Sequence, residues 1–264
     1  MPEGSQLTRI HPSAVVDPAA KIADDVEIGP FAVVGPDVEL ASGVQIRSHA
    51  LVTGCTSIGA RTKVFSNAIL GEEPQDKSFS GEPTRLVMGC DNVIRENVSI
   101  HVGTPDGGGC TRLGDDNFIM NGAHIGHDTQ LGSHIIIASQ CAIAGHVHID
   151  DFAVLGAFCG VHQFARVGES SMVAAMAGLT KDAPPFSLVS GHRAHLSGIN
   201  TVGVRRRGFS DEVRRAIKHA YHLLFNSNLR LKPAVARVRE ELSGVAEVDR
   251  LLAFIESSER GISR

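Results

Sequence analysis

Residues 10–46 read IHPSAVVDPAAKIADDVEIGPFAVVGPDVELASGVQI. An aliphatic residue stands at every sixth place, at Ile10, Val16, Ile22, Ile28, Val34, Leu40 and Ile46, and the series continues through Val52, Ile58, Val64 and Leu70. With 42% of the chain hydrophobic, eleven such places in succession arise by chance with a probability of about 10⁻⁴, so the period is that of a solenoid. Four residues after each aliphatic comes a small or branched one: Ala14, Ala20, Val26, Ala32, Val38, Val44, Ala50, Thr56, Thr62 and Ala68. Six is neither a helical nor a simple strand period. It fits a short strand and a turn, repeated, with three hexads closing a triangular coil of about 18 residues and successive coils stacked at ~4.8 Å.

Working outward, the phase breaks over 71–87, returns at Met88, Ile94 and Ile100, and breaks again over 105–112. It then runs from Leu113 to Leu179, where Pro184-Pro185 is expected to close it. After residue 190 the period changes. Ser210 with Asp211 and Glu212 suits the start of a helix, and Val213, Ala216, Ile217, Ala220 and Leu224 follow helical spacing. Pro233 is placed to open a second helix bearing Val235 and Val238, and Val248, Leu251, Leu252 and Ile255 mark a third. The expected organisation is a β-solenoid over 1–190 with two loop insertions, then a small helical domain over 191–264.

Aromatics make up 5% of the chain, with no Trp, so the core is thin and aliphatic. The five cysteines, Cys55, Cys90, Cys110, Cys141 and Cys159, form no CxxC pair, which argues against structural zinc and a disulfide framework. No leader is expected from MPEGSQLTRIHPSA and no run suits a membrane span; the expected compartment is the cytoplasm. The net charge of −4 is unevenly spread: residues 191–264 carry 14 Lys and Arg against 8 Asp and Glu, the remainder 11 against 21. A basic end suits an acidic partner or simply a solvated helix face. Nucleic acid is not expected, because no stacking aromatics accompany the arginines.

Histidine is the residue type that points to chemistry. His124, His127, His146 and His162 fall within three coils. Eighteen-residue columns place His127 with Gly145 and Gln163, and Asp128 with His146 and Phe164, so these residues converge on one edge of the prism. A histidine beside a carboxylate can serve as a general base, the carboxylate setting its tautomer, and Gly145 leaves a backbone N–H approachable. The residues alone also admit ordinary surface histidines, or a zinc site shared between subunits as in carbonic anhydrases of this architecture. The 71–87 loop supplies Gln75 and Asp76 as candidates for substrate hydroxyls. The 105–112 stretch, with Gly107-Gly108-Gly109, lacks a phosphate-loop signature and reads as a flexible turn. Arg205-Arg206-Arg207 suits a diphosphate or a basic helix start.

At the level of motifs the chain resembles the UDP-N-acetylglucosamine 3-O-acyltransferase family. The resemblance rests on GEPTR (81–85), IRENVSIH (94–101), AHIGHD (123–128), AGHV (144–147), GVHQF (160–164) and RRRGFS (205–210). It implies a left-handed parallel β-helix, a handedness that periodicity does not show. It implies transfer of a 3-hydroxyacyl chain from acyl carrier protein to the sugar nucleotide at the start of lipid A synthesis, with no cofactor and no metal. His127 would be the base, Asp128 its partner and Gly145 the oxyanion donor. Gln75, Asp76, His124 and His146 would hold the glucosamine and phosphate region, and His162, Gln163, Asn200, Arg206 and Arg207 the nucleotide. The sites would lie between subunits of a homotrimer, and acyl carrier protein, an acidic partner, suits the basic C-terminal region. Ala175 and Arg193 would measure the acyl chain, alanine implying one of about ten to twelve carbons. Two places depart from the family pattern: Ser78 stands where a lysine is common, and Val202 where a glutamate is. An N-acyltransferase of the same pathway would carry an added N-terminal domain, and a coenzyme A-dependent transferase further sequence.

Overall fold

The computed structural model describes residues 8–264; the expected lack of a leader falls in part on residues 1–7, outside them. Strands of mostly two residues build three sheets, of eleven, nine and eight strands, which form the three faces of a prism. Until the last coil, strands pair in parallel with those three strands later, as in Ile28 with Ile46, Val34 with Val52 and Leu40 with Ile58. The coil is left-handed, as the resemblance implies.

Two-residue strands suffice because each places one side chain inward. In Gln45–Ile46 and Ile136–Ile137 the second residue is buried, and Ile46, Ile94, Ile119 and Ile137 lie at 1% exposure or less. The small residues four places on, such as Ala32, Val44 and Ala50, are equally buried, filling the prism's corners. One continuous aliphatic column results, close-packed by stacking like on like.

The corners impose a second period of six. From Asp116 to Met176 every sixth residue has a left-handed φ of 52° to 67°: Asp116, Gly122, Asp128, His134, Gln140, His146, Phe152, Phe158, Phe164, Ser170 and Met176. This conformation costs a non-glycine residue ~1–2 kcal/mol. The corner N–H offsets that cost by donating to a carbonyl one coil earlier, as from His146 to His127 (2.9 Å) and from Gln140 to Asn121 (3.0 Å). Rings also stack along a corner: His134 on Phe152 and His146 on Phe164, both with centroids 4.5 Å apart.

The first interruption is a loop between the strands Ile69–Glu72 and Arg85–Met88, and the second lies between Ser99–His101 and Cys110–Leu113. The second is not the flexible turn expected. It holds a 3₁₀ turn at Pro105–Gly107 and packs against the Asp128 carboxylate.

Pro184-Pro185 does not close the solenoid. The last coil is merely shortened: Leu188 pairs in parallel with Met172, and Ser187–Ser190 then pairs antiparallel with His195–Ile199, covering what would be an open sheet end. Four helices follow, α1 (Thr201–Arg206), α2 (Asp211–Phe225), α3 (Leu231–Glu241) and α4 (Ala246–Glu256). Ser210 caps α2, accepting from the Val213 N–H at 3.3 Å. Pro233 lies inside the first turn of α3 rather than opening it, where its missing N–H breaks no helical bond. The short α1 has no periodic apolar signal in the sequence, since Val204 is its one buried residue. Ile217, Tyr221, Leu224, Val238, Leu251 and Leu252 form a second core around Phe186 of the solenoid's end, and the Tyr221 hydroxyl donates to the Pro185 carbonyl. Among the described residues no helix is long and apolar enough to cross a membrane.

Candidate active site

The corner between the second and third faces carries Asp128, and one coil later His146. Corner geometry turns the Asp128 carboxylate inward under the second insertion, where its side chain is 1% exposed. It is fully partnered there. Oδ1 accepts from the Thr104 N–H (2.8 Å), Oδ2 accepts from the Thr104 hydroxyl (2.6 Å), and Nδ1 of His127 lies 2.8 Å from Oδ2. Nδ1 of His146 stands 3.8 Å from the same oxygen. The rings of His127 and His146 meet edge to face, with centroids 4.9 Å apart. His127, Asp128 and His146 thus bring three donor atoms within 4.8 Å of one another. Oδ2 already receives Thr104 and faces His127, the arrangement of a hydrogen-bonded acid–base pair.

A groove of about 580 Å³ runs along the second face past His127. Gln75, His124, Gly145, His162 and Gln163 line it, so the structure brings these predicted residues together with His127. The floor is built from small outward residues, Ala142, Gly160 and Gly178, in strand register with His124. Gly145 lies directly over the His127 ring, where a Cβ would stand 2.6 Å from Cε1 and Nε2. Gly126, one coil earlier, is as constrained: a Cβ there would stand 2.7 Å from the Gly145 nitrogen. Two glycines therefore leave the Gly145 N–H uncovered beside the imidazole.

The site is electrostatically uneven. Asp76 is held below the usual carboxylate range by the N–H and hydroxyl of Ser78, and further by the nearby His127 and His146. The place where the family pattern suggests lysine thus holds the residue that fixes Asp76. His124 is pushed down by burial and by the charge of His127, and its Nδ1 lies 2.8 Å from the Ser99 hydroxyl.

Five predicted residues lie away from this groove within one chain. Asn200 caps α1, accepting from the Gly203 N–H at 3.0 Å and donating to the Ser170 carbonyl at 2.9 Å. Arg206 is exposed. Arg207 lays its guanidinium 3.3 Å from the centroid of Phe152. Ala175 is exposed beside the corner residue Met176, and Arg193 is exposed in the turn between the last two strands.

Column counting missed four residues. His101 lines the groove, buried at 6% exposure, with Nδ1 unpartnered and its ring edge to face with His124 at 5.0 Å. Burial, with His124 and His127 nearby, pushes its imidazole down to about 4. Ser99, Thr104 and Thr111 support His124 and Asp128. Ser99 pairs with His124 across 25 residues because the insertion lengthens that coil. The pairing is visible once the strand phase on either side of the insertion is matched.

The chain matches the bacterial transferase hexapeptide family (six repeats) at residues 19–54 and 110–145. Together with a histidine–carboxylate pair on the flank of the coil, this defines a hexapeptide-repeat acyltransferase. Residues 182–263 match the family described as UDP N-acetylglucosamine O-acyltransferase, domain 2. Over 262 residues the chain is 48% identical to the acyl-[acyl-carrier-protein]–UDP-N-acetylglucosamine O-acyltransferase of Burkholderia orbicola, covering 98% of this chain and 100% of that one. The protein of the same name from Halorhodospira halophila is 48% identical over 258 residues, 98% of this chain and 100% of its own length. The structure of LpxA from Acinetobacter baumannii superposes with a TM-score of 0.94 at 40% identity, covering 97% of this chain and 99% of that one. The UDP-N-acetylglucosamine acyltransferase from Campylobacter jejuni gives 0.92 at 39% identity, with coverage of 97% and 99%. The chain belongs to the acyl-[acyl-carrier-protein]–UDP-N-acetylglucosamine O-acyltransferase family.

Proposed function

We propose that the enzyme moves an (R)-3-hydroxyacyl chain from acyl carrier protein to the glucosamine 3-hydroxyl of UDP-N-acetylglucosamine, the first step of lipid A synthesis, by direct general-base transfer. The observation that carries this is the 2.8 Å contact of His127 Nδ1 with Asp128 Oδ2, with Nε2 beside Gly145 in the groove. When Nδ1 donates to Asp128, Nε2 holds the free lone pair. Nε2 takes the proton of the 3-hydroxyl as its oxygen attacks the thioester carbonyl. The new C–O bond leaves negative charge on the carbonyl oxygen, for which the uncovered Gly145 N–H is the donor. Collapse breaks the C–S bond, and the proton on His127 leaves with the carrier-protein thiol. No Ser or Cys needs to be acylated and no metal is invoked, so turnover should persist in chelator.

In the same reading Gln75, Asp76, His124 and His146 hold the glucosamine and its phosphate. His162, Gln163, Asn200, Arg206 and Arg207 hold the nucleotide, and Ala175 and Arg193 end the acyl groove. The separation of Asn200 and the arginines from His127 within one chain suits a site completed by a second subunit of a homotrimer. The proposed setting is the cytoplasm, where acyl carrier protein supplies the donor.

The test is mass spectrometry of the product formed from UDP-N-acetylglucosamine and 3-hydroxyacyl carrier protein, by the native enzyme and by His127→Ala. The variant should lose roughly 10²–10⁴-fold in turnover with its assembly unchanged. Near-native turnover in a folded variant would sink the assignment of the base.

A further inference from the structure

The second insertion is built around one carboxylate. Thr104, 4% exposed, reaches both Asp128 oxygens, its backbone N–H donating to Oδ1 and its hydroxyl to Oδ2. A Cβ on Gly107 would stand 2.0 Å from the Asp128 Cγ, and one on Gly103 2.7 Å from Oδ1. From the other side the Asp128 N–H donates to the buried Thr111 hydroxyl at 2.8 Å. The glycines that looked like a flexible turn are the close fit of backbone against a buried acid.

We propose that Thr104 is a positioning residue for the His127–Asp128 pair, clamping both carboxylate oxygens so that Oδ2 keeps one fixed direction for the imidazole. This rests on the general-base reading given above. Two donors from one residue, on different oxygens, block rotation of the carboxylate about its Cβ–Cγ bond. The hydroxyl also shares the charge of the oxygen that faces His127, so it tempers how strongly Asp128 holds an imidazolium. A base held too tightly as its cation is occupied by a proton at neutral pH; one held loosely is misaimed. Thr104 works against both.

The other titratable groups facing the pair are His146, 3.8 Å from Oδ2, Asp76 on the first loop, and His124 and His101 on the groove wall. Replacing Thr104 leaves all of them in place. Thr104→Val keeps the shape and the backbone donor but removes the hydroxyl. The acid limb of kcat/KM should then move up by about 0.5–1 pH unit, since the freed carboxylate charge favours the imidazolium. The plateau kcat should fall roughly 10-fold from lost orientation, with KM for the sugar nucleotide within about twofold because Thr104 is buried and does not line the groove. Thr104→Ser should restore both the limb and kcat. Thr104→Ala, smaller and with the same N–H, serves if valine does not fold. An unmoved acid limb with kcat within about twofold of native would overturn the proposal, as would a serine variant no better than valine. His127→Ala run in parallel separates the two failures. If it stays active, the general-base reading itself has failed; if it is dead while the Thr104 variants behave as native, only the clamp has.

Discussion

Gly145 lies one coil beyond His127 with no room for a side chain between them, a Cβ at that place standing 2.6 Å from Cε1 and Nε2 of the ring. The imidazole cannot yield freely, because Nδ1 is tied to the buried Asp128. Gly145→Ala should therefore displace the His127 ring or tilt the coil that carries the proposed oxyanion donor. A loss in kcat on the order of 10²-fold is expected with the fold retained. Steady-state kinetics with a thermal melt checks it, and native kcat in this variant would remove Gly145 from the site.

The two arginines proposed for the nucleotide should behave differently. Arg206 is exposed, whereas Arg207 stacks on Phe152 and lies 5.3 Å from the centroid of Phe209. Arg206→Glu should raise KM for the sugar nucleotide without moving Tm. Arg207→Glu should raise KM and also lower stability by about 0.5–2 kcal/mol through the lost cation–π contact. An unchanged KM in both would assign the triplet to structure or to carrier-protein docking.

Chain length should follow Ala175. Each methylene in an apolar pocket is worth roughly 1–3 kcal/mol of discrimination. Ala175→Gly should broaden acceptance toward longer donors and Ala175→Met should shorten it, read by competing carrier-protein thioesters of graded length. Three identical length profiles would place the end of the groove elsewhere.

Stability should respond to pH through Asp150, which lines a cleft with Arg166, Arg250 and Phe254. Burial pushes its carboxyl up to about 6, against the pull of Arg166. The folded state then keeps a proton that the unfolded chain has lost, so this contribution falls as pH rises from about 4 through about 6. His101, pushed down to about 4 from 6.5, has the opposite sign, its contribution rising across that window. The two oppose each other in the native protein. Asp150→Asn should remove the first, raising stability at pH 7.5 by at most about 3 kcal/mol and leaving it unchanged near pH 4. Melts at both pH values decide; an equal effect at each would show that Asp150 titrates in the ordinary carboxylate range.

Columns of eighteen residues bring together the cluster around His127 because the chain from Asp116 to Met176 is uninterrupted. There, position in sequence converts directly into position on the prism: Gly145 falls over His127 and Phe164 stacks on His146. The same counting failed for Ser99, His101 and Thr104, which an insertion puts out of step with the coil above. Pro184-Pro185 misled for a related reason. Proline stops a strand locally, but the end of a solenoid depends on what can still pair, and Leu188 still pairs with Met172.

The sequence by itself determined the solenoid, its corners and the His127–Asp128 pair, because a repeated fold needs the same inward aliphatic every six residues and writes that demand into each coil. Only the tertiary structure decided how the two insertions fold. Their residues answer to no repeat, and the conformation of Gly103–Gly109 is set by contact with a carboxylate some twenty residues away in sequence. Such a contact forms only once the coils have stacked, so no local pattern announces it.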